Sequence, residues 1–211
     1  MIVAIVGPDG AGKSTATRQV TDFLEARGEP AQLVDRWHIV GNADYPATRF
    51  MQASVAETRL CVAEMPRTAR FLFLVWSIGF ALMARPEREN AVAVLDGYWM
   101  KHAASEVAYG LDRPWVESVV AGLPHADVAV YLRVTPEVAW ERKKDGDVVA
   151  YECGMDASCS YNAFVEHQSK ILAILDSWAE RFGWTTIDAA GDQEHARNAI
   201  ISALERSGQQ Q

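Results

Sequence analysis

Residues 7–14 read Gly-Pro-Asp-Gly-Ala-Gly-Lys-Ser, which fills every fixed position of the pattern G-x-x-x-x-G-K-[ST]. No other feature constrains the chain as strongly, because the pattern works in one context only: a buried strand delivers the loop and a helix leaves it. Both are predicted. Ile2–Val6 is a short β-branched run suited to a central parallel strand. Residues 14–27 carry Val20, Phe23 and Leu24 at helical spacing, with Gly28 as the stop. In this setting glycine permits the tight turn, backbone N–H groups point inward, and the helix N-terminus adds partial positive charge. The loop is therefore built for phosphate. Gly7, Asp9, Gly10, Ala11 and Gly12 form the cradle, with Lys13 expected at the β- and γ-phosphates of ATP, Ser14 at Mg²⁺ and Thr15 at the α-phosphate. No Asn-Lys-x-Asp guanine signature and no Asp-x-x-Gly switch after a strand are present, which argues against a GTPase.

Beyond the loop, apolar runs at 31–35, 91–95, 127–134 and 185–188 read as four more strands. Helical spacing is found at 47–64, 66–85, 102–109, 114–121, 136–144, 162–182 and 193–206, while 37–45 and 145–160 read as loops and the Gly-Gln-Gln-Gln tail should fray. Strands alternating with helices predict an α/β fold: a doubly wound, mostly parallel five-stranded sheet with helices on both faces. The 211 residues suit a single domain, 1–211, with a mobile lid at about 142–160.

The net charge of −8 is the wrong sign for a nucleic-acid binder. The apolar start has no basic region before it, and the longest greasy stretch, 71–84, is short of the ~20 residues that span a bilayer. No membrane partner and a cytoplasmic location are expected. Of the three cysteines, Cys153 and Cys159 are too widely spaced for a usual zinc knuckle and have no histidine pair. Reduced thiols are the favoured reading, and a disulfide in the lid is the alternative.

The loop with its internal Asp9, Pro66-Arg67-Thr68 followed by Phe71-Leu72-Phe73-Leu74, Val94-Leu95-Asp96-Gly97-Tyr98 with Ala108-Tyr109, and Leu123-Pro124-His125-Ala126-Asp127 leading to Thr135-Pro136-Glu137 occur in the order of the thymidylate kinases, which nearly the whole chain resembles. The resemblance implies phosphoryl transfer from Mg·ATP to a nucleotide-like acceptor and pairing as a homodimer through helices such as 71–83. It implies that Asp9 contacts the acceptor sugar and that Phe73, beside Trp76, stacks on the base. Asp96 is implied near Mg²⁺, and Tyr98 and Tyr109 along the acceptor pocket. For Phe73, Tyr98 and Tyr109, ordinary packing is the competing reading.

The chain departs from the family on the acceptor side. The arginine after the strand aspartate is Gly97, the base-reading arginine falls on Ser77, and Asp35-Arg36-Trp37 with Arg49 replace a Glu-Pro-Gly-Gly-Thr type segment. Two acceptor classes follow. A phosphate acceptor would use Arg36, whereas a hydroxyl acceptor would need a base, for which Asp35 is the candidate; an Asp35–Arg36 ion pair is the structural alternative. Arg142 and Lys143 (with Lys144) precede the lid and are expected over the γ-phosphate, Arg142 foremost because its planar fork suits phosphate. A solvated basic helix end is the competing reading.

Overall fold

A computed structural model describes residues 1–45, 51, 54–85, 88, 90–146 and 148–208. Five strands form one sheet: β1 (Ile2–Val6), β2 (Ala31–Val34), β3 (Val92–Asp96), β4 (Val128–Arg133) and β5 (Thr185–Asp188). Their order is β2-β3-β1-β4-β5 and every pair is parallel. β1 lies at the centre, as its unbroken apolar run requires.

The two-residue period of the strands divides the core into two layers. Val3 and Ile5 point to one face with Val94 and Val130, and meet Val20 and Leu24 of α1 (Lys13–Ala26). Ile200 and Leu204 of the last helix, α8 (Gln193–Gly208), complete that layer. Ala4 and Val6 point the other way with Leu95 and Tyr131, toward α3 (Arg67–Met83), α4 (Trp99–Ala108), α5 (Arg113–Val120) and α7 (Tyr161–Phe182). Two helices flank this scaffold: α2 (Val55–Glu64), opened by a Ser54–Glu57 capping box, and α6 (Pro136–Lys143), capped by Thr135.

Several local expectations change. The second strand stops at Val34, because Asp35 turns its carboxylate back to accept the Trp37 N–H at 3.0 Å and caps a 3₁₀ turn, Arg36–Ile39. Part of the expected 37–45 loop is thus a turn that buries Trp37 and Ile39. The fourth helix starts at Trp99, earlier than expected. The segment after α6 is not an open loop. A second 3₁₀ turn, Ala150–Cys153, packs on α7 and buries Cys153. The reduced-thiol reading is also corrected. Left-handed residues at Gly154 (φ 69°), Met155 (φ 68°) and Cys159 (φ 43°) fold this segment back. Cys153 and Cys159 come to a Cα separation of 5.2 Å and are joined as a disulfide, while Cys61 is free and exposed. Among the described residues no helix is long and apolar enough to cross a membrane. The start of the expected 47–64 helix, Arg49 and the last residues of the tail lie outside the described residues.

Candidate functional site

The site lies at the C-terminal edge of the sheet, where a parallel α/β fold leaves its crevice. β1 ends at Val6 and releases the glycine loop. Gly12, at φ 83°, adopts a left-handed conformation that glycine takes at no steric cost, and α1 starts at the next residue. Asp96 ends the adjoining strand in register with Ile5. Ser14 and Thr15 are exposed in the first turn of α1. The loop, with Thr15 and Arg142, lines a cleft of about 620 Å³ that continues to Ala189 and Asp192, a size that accepts a nucleotide. Ser14, in the first turn of α1, and Asp96, at the end of β3, are oxygen-bearing side chains at this edge of the sheet. Among the described residues no group of three or more metal-binding side chains gathers, so a hard cation there would take its remaining ligands from phosphate and water.

The charge in the crevice is concentrated and desolvated. Lys13 is half-buried and closely surrounded by protein, and its ammonium donates to the Pro8 carbonyl at 2.8 Å. Desolvation, together with the Lys101 ammonium, lowers its pKa to about 8 against the pull of Asp9. Asp9 is paired with Lys101, Oδ2 to Nζ 2.9 Å, with both side chains largely out of solvent. Burial would raise the Asp9 carboxyl, but Lys101, Lys13 and Lys143 outweigh it and hold it far below the carboxylate range. Lys143 itself is paired with Glu152 at 2.5 Å.

Arg36 and His102 close the site on the side of β2 and α4. Burial depresses both groups, and His102 also feels the cations of Arg36 and Lys101, so its imidazole is neutral. Arg36 Nε and His102 Nδ1 are buried without a hydrogen-bond partner among the described residues. The Arg36 guanidinium also lies 4.6 Å from the Trp37 ring centre. Such orphaned polar atoms are expensive in a finished interior and mark a place for a ligand or water.

Farther out, Arg70 on α3 and Glu106 on α4 form a two-pronged pair (Nε–Oε1 2.5 Å, Nη2–Oε2 3.0 Å) at 2% and 0% side-chain exposure. Tyr151, from the turn after α6, donates its hydroxyl to Glu106 at 3.0 Å and lays its ring 5.0 Å from the Arg70 guanidinium. Tyr109 donates to the Tyr151 carbonyl and packs on His167 with ring centres 4.6 Å apart. Burial, with Lys101 and Lys170, lowers His167 to about 4.

Asp9, Lys13, Asp96, Arg36 and Lys143 are thus brought together, with Tyr109 in the adjoining wall. Asp35 is spent on its cap. Phe73 is half-buried beside Trp37, Val62 and Leu74, and meets Trp76 at 5.7 Å between ring centres. Trp76 is 37% exposed, and Ser77 is buried with its hydroxyl on the Leu74 carbonyl. Tyr98 is not delivered to the pocket. It is 1% exposed in the core, with its hydroxyl on the Pro124 carbonyl at 2.7 Å. Arg142 points to the nucleotide cleft. It donates to Gly10 O (3.2 Å), Ala189 O (2.8 Å) and Ala190 O (3.0 Å), tying the loop to the segment after β5. Lys144 pairs with Glu141 on the surface.

Sequence reasoning missed Lys101, His102, Arg70, Glu106, Tyr151 and His167. One signal was available for the first two: a long or titratable side chain in the first turn after the strand aspartate leaves the same sheet edge as the loop. A second was a charge on an otherwise apolar helix face, as at Arg70.

Fold and loop together define a P-loop kinase, a phosphotransferase class. Within that class the chain is thymidylate kinase-like. It is 25% identical to the thymidylate kinase of Schizosaccharomyces pombe, over 96% of this chain and 90% of that protein. It is 25% identical to a probable thymidylate kinase of Saccharolobus solfataricus, over 89% and 87%, and 22% identical to the thymidylate kinase of Caenorhabditis elegans, over 97% and 90%. A deoxyadenosine kinase from M. mycoides, solved with bound dCTP, shares the fold with a TM-score of 0.58 and 16% identity, over 98% of this chain and all of that one. No protein-family model matches the chain.

Proposed function

We propose that the chain transfers the terminal phosphoryl group of Mg·ATP to the phosphate of a nucleoside monophosphate. The observation that carries this reading is Arg36: in the turn after β2 its guanidinium has a buried, unpartnered Nε among the described residues and faces the same crevice as Lys13 and Asp96. A guanidinium held without a full set of acceptors fits an anionic group on the acceptor. The opposing choice, a hydroxyl acceptor with Asp35 as base, is disfavoured because that carboxylate already caps the Arg36–Ile39 turn.

An acceptor phosphate oxygen is anionic at neutral pH and needs no base. It bonds to the γ-phosphorus as the bond to the β–γ bridging oxygen breaks, yielding ADP and a nucleoside diphosphate. Positioning and charge neutralisation are the protein's work in such a step. Lys13 and the loop amides hold the donor, Arg36 holds the acceptor phosphate, and Asp9 faces the acceptor. Arg142 shapes the nucleotide cleft. Mg²⁺, on Ser14 and Asp96, would neutralise phosphate charge. Phe73 and Tyr109 are assigned to the acceptor side, and Lys143 to the donor phosphates. We also infer that the chain pairs with a second copy through α3, where Leu72 (46%) and Met83 (70%) are exposed.

The test is ADP release over a panel of nucleoside monophosphates and the matching nucleosides. Turnover with monophosphates alone is expected, with Arg36→Gln raising the acceptor KM. Turnover with nucleosides alone overturns the reading.

A further inference from the structure

The reading above leaves one buried cation without a role. Lys101 stands in the first turn of α4, five residues after Asp96, and its ammonium reaches back to Asp9 at 2.9 Å. Its side chain is 10% exposed. A lone surface-type ion pair does not explain this placement, because Lys101 is not set against a carboxylate in isolation. Lys13, Lys143 and Arg36 are close enough to act on the same Asp9 or its neighbours. Four cations thus share a desolvated crevice with Asp9, Asp35, Asp96 and Glu152, of which Glu152 is already bound to Lys143 and Asp35 to the Trp37 N–H. Like charges gathered out of water repel strongly, and Lys101 depresses Lys13 for this reason. An anion entering the crevice would relieve that repulsion.

The backbone explains why the cation comes from Lys101. Gly97 follows Asp96 directly, at φ 69°, where a side chain is disfavoured, and the position adjoins Lys13, whose Cε is in ordinary contact range at 4.0 Å of where a Cβ would stand. The chain therefore carries no side chain at the point nearest Lys13. The next helical turn, beginning at Trp99, supplies one from the same strand end. The Tyr151 ring, 5.7 Å from the Lys101 ammonium, walls it on the lid side and leaves the phosphate loop as the direction in which it faces Asp9.

We propose that Lys101 is a catalytic residue: its ammonium moves from Asp9 to the transferring phosphoryl group when both nucleotides are bound, and sits opposite Lys13. Asp9 serves as its holding partner in the free enzyme and is released to the acceptor as Lys101 turns. No bond forms or breaks at Lys101, and it keeps its three protons throughout. Its contribution is charge placed where charge develops.

This inference rests on the phosphotransfer reading, and the experiment separates the two. Steady-state kinetics are measured with whichever acceptor the wild-type chain uses, for Lys101→Met, Lys101→Arg, Asp9→Asn and the Asp9→Asn/Lys101→Met double variant. Lys101→Met should lose roughly 100-fold or more in kcat with the ATP KM nearly unchanged, and Lys101→Arg should recover most of that loss. Since Lys101→Met strands a buried carboxylate and endangers folding, the double variant is the decisive one. It removes both charges and should still turn over roughly 100-fold more slowly than Asp9→Asn alone. Equal kcat for the double variant and Asp9→Asn would mean that Lys101 acts only on Asp9, and overturns the proposal. A wild-type chain that releases no ADP with any acceptor sinks the phosphotransfer reading and this one with it. A wild type that turns over normally and is indifferent to Lys101 sinks this one alone.

Discussion

Removing one side of the Arg70–Glu106 pair should cost the protein a large share of its stability, and removing both should cost much less. Arg70→Met leaves the Glu106 carboxylate at 0% exposure with the Tyr151 hydroxyl as its remaining donor, and frees the Ala63 and Met65 carbonyls that Arg70 Nη1 holds at 3.2 Å each. Breaking a buried pair in this way costs about 3–5 kcal/mol, because the stranded charge keeps its desolvation cost and loses its compensation. With a urea m-value of about 2–3 kcal/mol/M for a domain of this size, the unfolding midpoint should fall by roughly 1–2.5 M. The Arg70→Met/Glu106→Leu double variant strands no charge, so its midpoint should lie well above that of Arg70→Met. The assay is equilibrium urea unfolding of the wild type, both single variants and the double, closed as a cycle. The pair joins α3 to α4 and holds Tyr151 and Tyr109 in the wall, so the single variants should also raise the acceptor KM. A midpoint for Arg70→Met within 0.3 M of wild type (about 1 kcal/mol on the same m-value) would refute the reasoning, as would a double variant no more stable than the single.

Lys13→Ala should abolish phosphoryl transfer while leaving the far-UV circular dichroism and unfolding midpoint close to wild type; an unchanged kcat removes Lys13 from the chemistry. The lowered Lys13 pKa gives a signed pH effect. The folded chain holds this ammonium only below about pH 8, while the unfolded chain holds it to its ordinary 10.5. Between those values the unfolded state binds more protons, so this group makes stability rise with pH across that window. Over the same range the free enzyme's affinity for a non-hydrolysable ATP analogue should fall, and calorimetry at pH 7 and pH 9 checks it. Phe73→Ala should raise the acceptor KM severalfold, and normal acceptor kinetics would return Phe73 to the Trp37–Leu74 cluster as packing. Sedimentation at rising concentration should show a dimer that Met83→Glu weakens; a monomer throughout ends the pairing proposal.

The donor half was legible because its chemistry is local. Eight consecutive residues, a strand before them and a helix after them suffice to place backbone amides, and Lys13 follows from the spacing. The sheet was legible for a similar reason: the central strands Ile2–Val6, Val92–Asp96 and Val128–Arg133 are buried on both faces, so their composition identifies them, while the edge strands β2 and β5 are only partly buried. The wall proposed for the acceptor is assembled from α3, α4, α7 and two 3₁₀ turns, and no local window contains it. Tyr98 and Tyr109 show the limit. Both are tyrosines flanking one helix, yet Tyr98 points into the core at Pro124 while Tyr109 joins the wall with His167. Only the rotation of α4 against the sheet decides between them. Arg142 shows it again. A guanidinium at a helix end is legible, but its choice of the Gly10, Ala189 and Ala190 carbonyls depends on where the segment after β5 arrives.

The distribution of charge ties these observations together. The chain carries a net −8, yet the crevice gathers Lys13, Arg36, Lys101 and Lys143 around Asp9 and Asp96. An acidic exterior disfavours polyanions as large as nucleic acid, since these meet the repulsive surface over many charges at once. A mononucleotide is small enough to enter the crevice and meet its cations directly, in surroundings where each attraction is strengthened by the exclusion of water. A chain that discriminates small phosphates from nucleic acids in this way would need no steric gate, because the net charge of the chain and the cations lining the crevice differ in sign.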